Sequence, residues 1–176
     1  MQEQYKSIIW RQFDAAIETL KRAIDACPDE VWSDGSKPVW KERDVVGYWY
    51  LAFHTIFWLD FYMSDPAGLG LDPEATFKAP APFNEDEFSY DGLLPERAYT
   101  KLELLNYLEQ TRTKARQRLL AVDIASPSVR SGLGALELML YNMRHVQHHA
   151  AQMNLILRQQ TGDAPKWVSG RMKDEG

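Results

Sequence analysis

Residues 48–62 read Tyr-Trp-Tyr-Leu-Ala-Phe-His-Thr-Ile-Phe-Trp-Leu-Asp-Phe-Tyr, apolar almost all the way round a helical wheel. Such a helix has no face to offer water, so the rest of the chain must be arranged to cover it. Its length alone would suit a membrane span. His54 and Asp60 near its middle, the excess of aromatics and the lack of a long aliphatic run argue against that. The segment predicts a buried helix over 44–64, capped by Asp44, stopped by Asp65-Pro66, and also engaged in a dimer contact. Helical phase sets Gly47, Tyr50, Phe57, Trp58 and Phe61 on the side of His54, with Gly47 leaving space one face-repeat above the histidine and the aromatics walling it.

Three further helices can supply the cover. Over 4–27, Ile9, Phe13, Ala16, Leu20, Ala23 and Cys27 recur in steps of four and three, and Pro28 ends the pattern. Residues 28–42 form a connector whose tryptophans, Trp32 and Trp40, pack back over the end of the domain. Thr100 and Glu103 form a capping box that opens a helix continuing through Leu105, Leu108, Arg112, Ala115, Leu119 and Val122. Lys114, Arg116 and Arg118 spread around that helix and read as a solvated face. The last and longest helix, 132–160, carries Leu136, Met139, Leu140, Met143, Val146, Ala150, Met153 and Leu157 toward the core, and Gly162 with Pro165 closes it. Between the second and third helices, residues 65–99 hold five of the nine prolines, yet they are too aromatic for a disordered linker. A crossover running the length of a bundle fits both facts, and it allows the helices it joins to run parallel. The expectation is all-α: one domain over 1–176, a four-helix bundle with a long crossover between helices 2 and 3.

A net charge of −5, with no cluster of lysines and arginines among aromatics, disfavours a nucleic-acid partner. The single cysteine, Cys27, rules out an internal disulfide and lies on the apolar stripe of the first helix, as a buried structural thiol would. The N-terminus has no apolar signal-like run, so a reducing cytoplasm is the expected location, with no membrane partner.

The chemistry concentrates in four histidines. His145 and His149 stand four residues apart, which on a helix puts both imidazoles on one face about 6 Å apart along the axis. Two such rings can share a metal ion, and His54 is the remaining histidine able to complete the set. Taken singly, His54 would be a core histidine bonded to a carbonyl; two potential partners reverse that reading. His148 points about 60° away from His145, which makes a pair of His145 with His148 the second choice. Neutral imidazole suits zinc, nickel, copper or iron(II), and three protein ligands leave an open coordination position. Ligation needs neutral rings, so affinity is expected to fall as pH drops through about 6. Trp58 is a candidate for the pocket wall, Asn142 and Gln152 for orienting a substrate or water, and His148 for a supporting place behind the ligands or on the surface. No residue is assigned as a catalytic acid, base or nucleophile.

Phe53-His54-Thr55-Ile56-Phe57-Trp58-Leu59, the motif His145-Val146-Gln147-His148-His149-Ala150-Ala151-Gln152, and Gly162-Asp163-Ala164-Pro165-Lys166-Trp167 together resemble the DinB-like (damage-inducible) superfamily over nearly the full chain. Ala151 departs from the glycine found in many members. The resemblance implies an up-down-down-up bundle, usually a homodimer, with a divalent metal held by His54, His145 and His149; zinc or nickel comes first and iron after. It further implies enzymes that activate a low-molecular-weight thiol, such as bacillithiol, mycothiol or glutathione, for S-transfer to or isomerisation of an electrophilic small molecule, and also hydrolases. Against it stands a non-catalytic, stress-induced module whose histidines serve packing, dimer formation or adventitious metal binding.

Overall fold

Helix α1 (Gln2–Ala26) buries Phe13, Ile17, Leu20, Ala23 and Ile24 completely, so its stripe is wider than the single four-three row. The computed structural model describes residues 2–33, 38–40, 45–64, 97–126 and 132–170, with backbone alone at 38–40 and 45–46. In chain order α1 is followed by a one-turn helix α2 (Asp29–Trp32), a small antiparallel pair of strands β1 (Pro38–Trp40) and β2 (Val45–Val46), and the long helices α3 (Tyr48–Met63), α4 (Lys101–Ala121) and α5 (Ala135–Thr161). The body is helical. Asp44 and the expected crossover over 65–96 lie outside the described residues.

Helices α1 and α3 each pack against both α4 and α5, and touch each other only slightly. This places α1 and α3 on opposite corners, with one core between them. Helix α3 has 12 of its 16 residues buried by the chain itself, so no dimer is needed to cover it. The four left half-buried, His54, Trp58, Phe61 and Tyr62, share one face. Each fully buried Phe, such as Phe13, Phe53 and Phe57, contributes about 1.5–3 kcal/mol through apolar burial.

Polar contacts fix the ends. The Trp32 indole N–H donates to the Tyr99 carbonyl at 2.8 Å, the Tyr48 hydroxyl to the Ala23 carbonyl at 2.8 Å, and Lys101 Nζ to the Cys27 carbonyl at 2.6 Å. Trp32 thus packs back over the domain end as expected. At the other end Lys6 Nζ donates to the Leu120 carbonyl at 2.8 Å, which satisfies a carbonyl in the last turn of α4. Helix α4 begins with the predicted capping box: Glu103 N–H donates to Thr100 Oγ1 at 3.2 Å, and Thr100 N–H to Glu103 Oε2 at 2.8 Å. Hydrogen bonds from Arg97, then from Thr100, hold the Glu103 carboxyl down at about 2.

Several expectations change. Helix α3 starts at Tyr48, not at 44, because Gly47 has φ +100° and serves as its N-cap. A Cβ there would sit 2.8 Å from Trp49 Cδ1, so Gly47 is required by the bend and by close approach, not as space beside His54. Arg118 is buried, so α4 has no continuous solvated basic face. Leu136 and Leu140 are 38% and 43% exposed, while Ala135 and Leu138 fill the core positions. The last helix closes at Gly162, in the left-handed region, as predicted. No described helix is long and apolar enough to cross a membrane.

Candidate metal centre

The half-buried face of α3 meets α5 at three imidazoles. Leu51, Phe53, Ile56 and Phe57 pin α3 in the core, which leaves His54 aimed at the neighbouring helix. On α5, Val146, Ala150 and Met153 are fully buried and set the rotation that turns His145 and His149 toward α3. Asn142, one turn before His145, is also fully buried, and its Nδ2 donates to the Leu59 carbonyl at 3.1 Å. That bond fixes the height of α5 against α3. Asn142 therefore keys two helices together through its Nδ2, while its Oδ1 has no hydrogen-bond partner among the described residues.

The ring centroid of His54 lies 5.4 Å from that of His145 and 4.9 Å from that of His149. One nitrogen from each of the three lies within 4.8 Å of the others, a set able to hold a metal ion. His145 Nε2 and His149 Nε2 are 3.0 Å apart. Two nitrogens on one ion at about 2.0–2.1 Å each would be about 2.9 Å apart at a right angle and about 3.3 Å apart at a tetrahedral angle. The α5 pair already has that spacing.

Electrostatics favour the ligating form. Burial first, then the neighbouring imidazoles, pushes His145 down to about 3; burial and His54 push His149 down to about 4. Both rings are neutral well below the ordinary histidine range, which moves the expected loss of affinity for these two ligands below pH 6. His149 Nδ1 lies 2.7 Å from Gln152 Oε1, so with the amide oxygen accepting, the ring proton sits on Nδ1 and the Nε2 lone pair faces the cluster. His145 Nδ1 is buried and has no hydrogen-bond partner among the described residues.

Sequence comparison with protein-family models and curated proteins, and structural comparison with solved proteins, return no match. The geometry therefore speaks alone. Trp58 sits 6.3 Å from His54, ring centre to ring centre, and forms the wall of the half-buried face with Phe61 and Tyr62. His148 is exposed, 5.0 Å from His149 by ring centres, and lies outside the three-ring cluster. Gln152 is exposed and acts through His149.

One polar group escaped the sequence reading. Asp60 is buried, accepts from the Tyr107 hydroxyl at 2.8 Å, and pairs with Lys114 Nζ, which also reaches Ser64 Oγ at 3.2 Å. A carboxylate inside an apolar helix announces the need for a partner. The seven-residue spacing of Tyr107 and Lys114 on α4 was the available signal. This network ties α3 to α4 and holds the helix that carries His54.

Proposed function

We propose that the chain is a metal-dependent enzyme of DinB-like type, with His54, His145 and His149 as ligands to one divalent cation, zinc or nickel in preference to iron. The observation that carries the reading is the convergence of three imidazoles from two helices, with the α5 pair held neutral by burial. Contacts along the helices support the bundle's directions. Tyr48 near Ala23 turns α3 back along α1, while Tyr99 beside Phe53 and Lys114 beside Asp60 run α4 parallel to α3. Tyr141 beside Tyr62 and His149 beside His54 turn α5 back again. Such an order fits the up-down-down-up bundle, in which the expected long connection between helices 2 and 3 would join the parallel α3 and α4.

A bound cation with an open position would acidify a coordinated thiol or water and supply a nucleophile near neutral pH. The chain's own residues hold and orient: Gln152 fixes the His149 tautomer, Asn142 fixes the approach of α5, and Trp58 shields one side from water. Burial pushes the Cys27 thiol up to about 12, so the protein offers no thiolate of its own. A thiolate nucleophile must come from a low-molecular-weight thiol, reacting with an electrophilic small molecule in a cytoplasmic homodimer. Elemental analysis should find about one metal per chain, with His149→Ala losing it; a panel of thiols with electrophiles then tests turnover. The 3.0 Å contact between His145 and His149 also suits a second reading, a non-catalytic module in which the imidazoles bond one another. Substoichiometric metal and a melting temperature indifferent to chelator would select that reading.

A further inference from the structure

Beside the three-ring cluster, Tyr141, Arg144, His145 and His148 line an open notch of about 260 Å³ on the outer side of α5. His145 is common to both, so anything seated in the notch lies against the edge of a ligand ring. Tyr141, Arg144 and His148 also line a groove of about 900 Å³ between α1 and α5, and all three are exposed, so the notch is reachable from solvent. The Arg144 side chain is exposed, and its guanidinium carbon stands 5.7 Å from the centre of the Tyr141 ring. Tyr141 thereby restrains an otherwise flexible cation.

Among the described residues Arg144 makes no ion pair and no hydrogen bond. The acid nearest to it on the same face, Glu137, is two turns away, about 10 Å along the axis. This contrasts with Arg97 and Arg112, whose guanidinium groups are engaged by carboxylates. A guanidinium fork with a phenol and an imidazole beside it suits a planar carboxylate, which it can bind through two parallel N–H bonds.

We infer that Arg144, with Tyr141 and His148, forms the carboxylate-binding subsite for the small molecule on which the His54–His145–His149 centre acts. This rests on the metal-centre reading above and narrows the substrate class to organic acids whose reacting group lies next to a carboxylate-bearing arm. Arg144 is a binding residue, with no part in bond making or breaking.

The test uses succinate, with neutral succinamide as control. Cobalt(II)-loaded protein is titrated while the visible cobalt bands are followed. Separately, metal-free protein is treated with phenylglyoxal with and without succinate, and Arg144 modification is read by peptide mass. Succinate should perturb the bands and slow the labelling of Arg144, and succinamide should do neither. Arg144→Ala should weaken succinate binding at least about tenfold, as loss of a charge-assisted pair requires, with cobalt stoichiometry at the parent value. Arg144→Lys should recover only part. Equal affinity in parent and Arg144→Ala, or an equal response to succinamide, overturns the subsite. If His149→Ala fails to lower cobalt content, the metal reading falls instead. The labelling of metal-free protein then decides the subsite: protection by succinate keeps it and its absence overturns it.

Discussion

At the scale of the residue, the decisive property is the neutrality of two rings, the half-buried His145 and the buried His149. In the unfolded chain they titrate near 6.5, and in the fold His145 and His149 titrate at about 3 and 4. Well above pH 6.5 both rings are neutral in either state and add no pH dependence to stability. Between about 6.5 and 4 the unfolded chain takes up protons that the folded one refuses, so the metal-free protein loses stability as pH falls. Urea unfolding of chelated protein at pH 7, 6 and 5 should show a falling midpoint, and His145→Ala should flatten the trend. Gln152→Ala should weaken metal affinity by about tenfold or more, as loss of a partner that orients a ligand does, without changing the fold. Titration with a chromophoric competitor chelator measures it.

At the scale of the element, the sequence was most legible where a local rule decides the structure. The capping box of Thr100 and Glu103 and the glycine stop at Gly162 could be read directly, because each depends on a few adjacent residues. Thr100→Ala should cost about 1 kcal/mol, seen as a lowered melting temperature. The Glu103 part of the cap is present above about pH 4.5 and disappears as pH falls through about 2. The start of α3 was not legible, because Asp44 satisfies the N-cap preference while the backbone bend falls at Gly47, three residues later. The roles of Leu136, Leu140 and Arg118 were not legible either. Periodicity gives the spacing of a stripe, but which side meets a neighbour is set by the other helices. Asp60→Ala should remove the link between Tyr107 and Lys114 and destabilise by about 2–3 kcal/mol, the lower range for a pair that is partly open to water. The same midpoint shift should be largely absent in Asp60→Ala combined with Lys114→Met.

At the scale of the whole molecule, the histidine cluster joins α3 to α5 across the middle of the helix pair, so occupancy is coupled to folding. A ligand that binds only the folded chain raises stability by about 2.7 kcal/mol at a hundredfold excess over its Kd. Removing metal with a chelator at pH 7.5 should therefore lower the melting temperature by several degrees, and His54→Ala should abolish that difference. The three histidines were legible as a cluster because the four-residue spacing of one pair and the burial of the third are local facts. Which side chains would face Arg144 was not, since that depends on what the final helix leaves uncovered. The depth of Cys27, 2% exposed, has a practical consequence. Chromogenic disulfide reagents should titrate less than one sulfhydryl per folded chain, so in the thiol panel proposed above any colour lost would come from the added thiol and not from the protein.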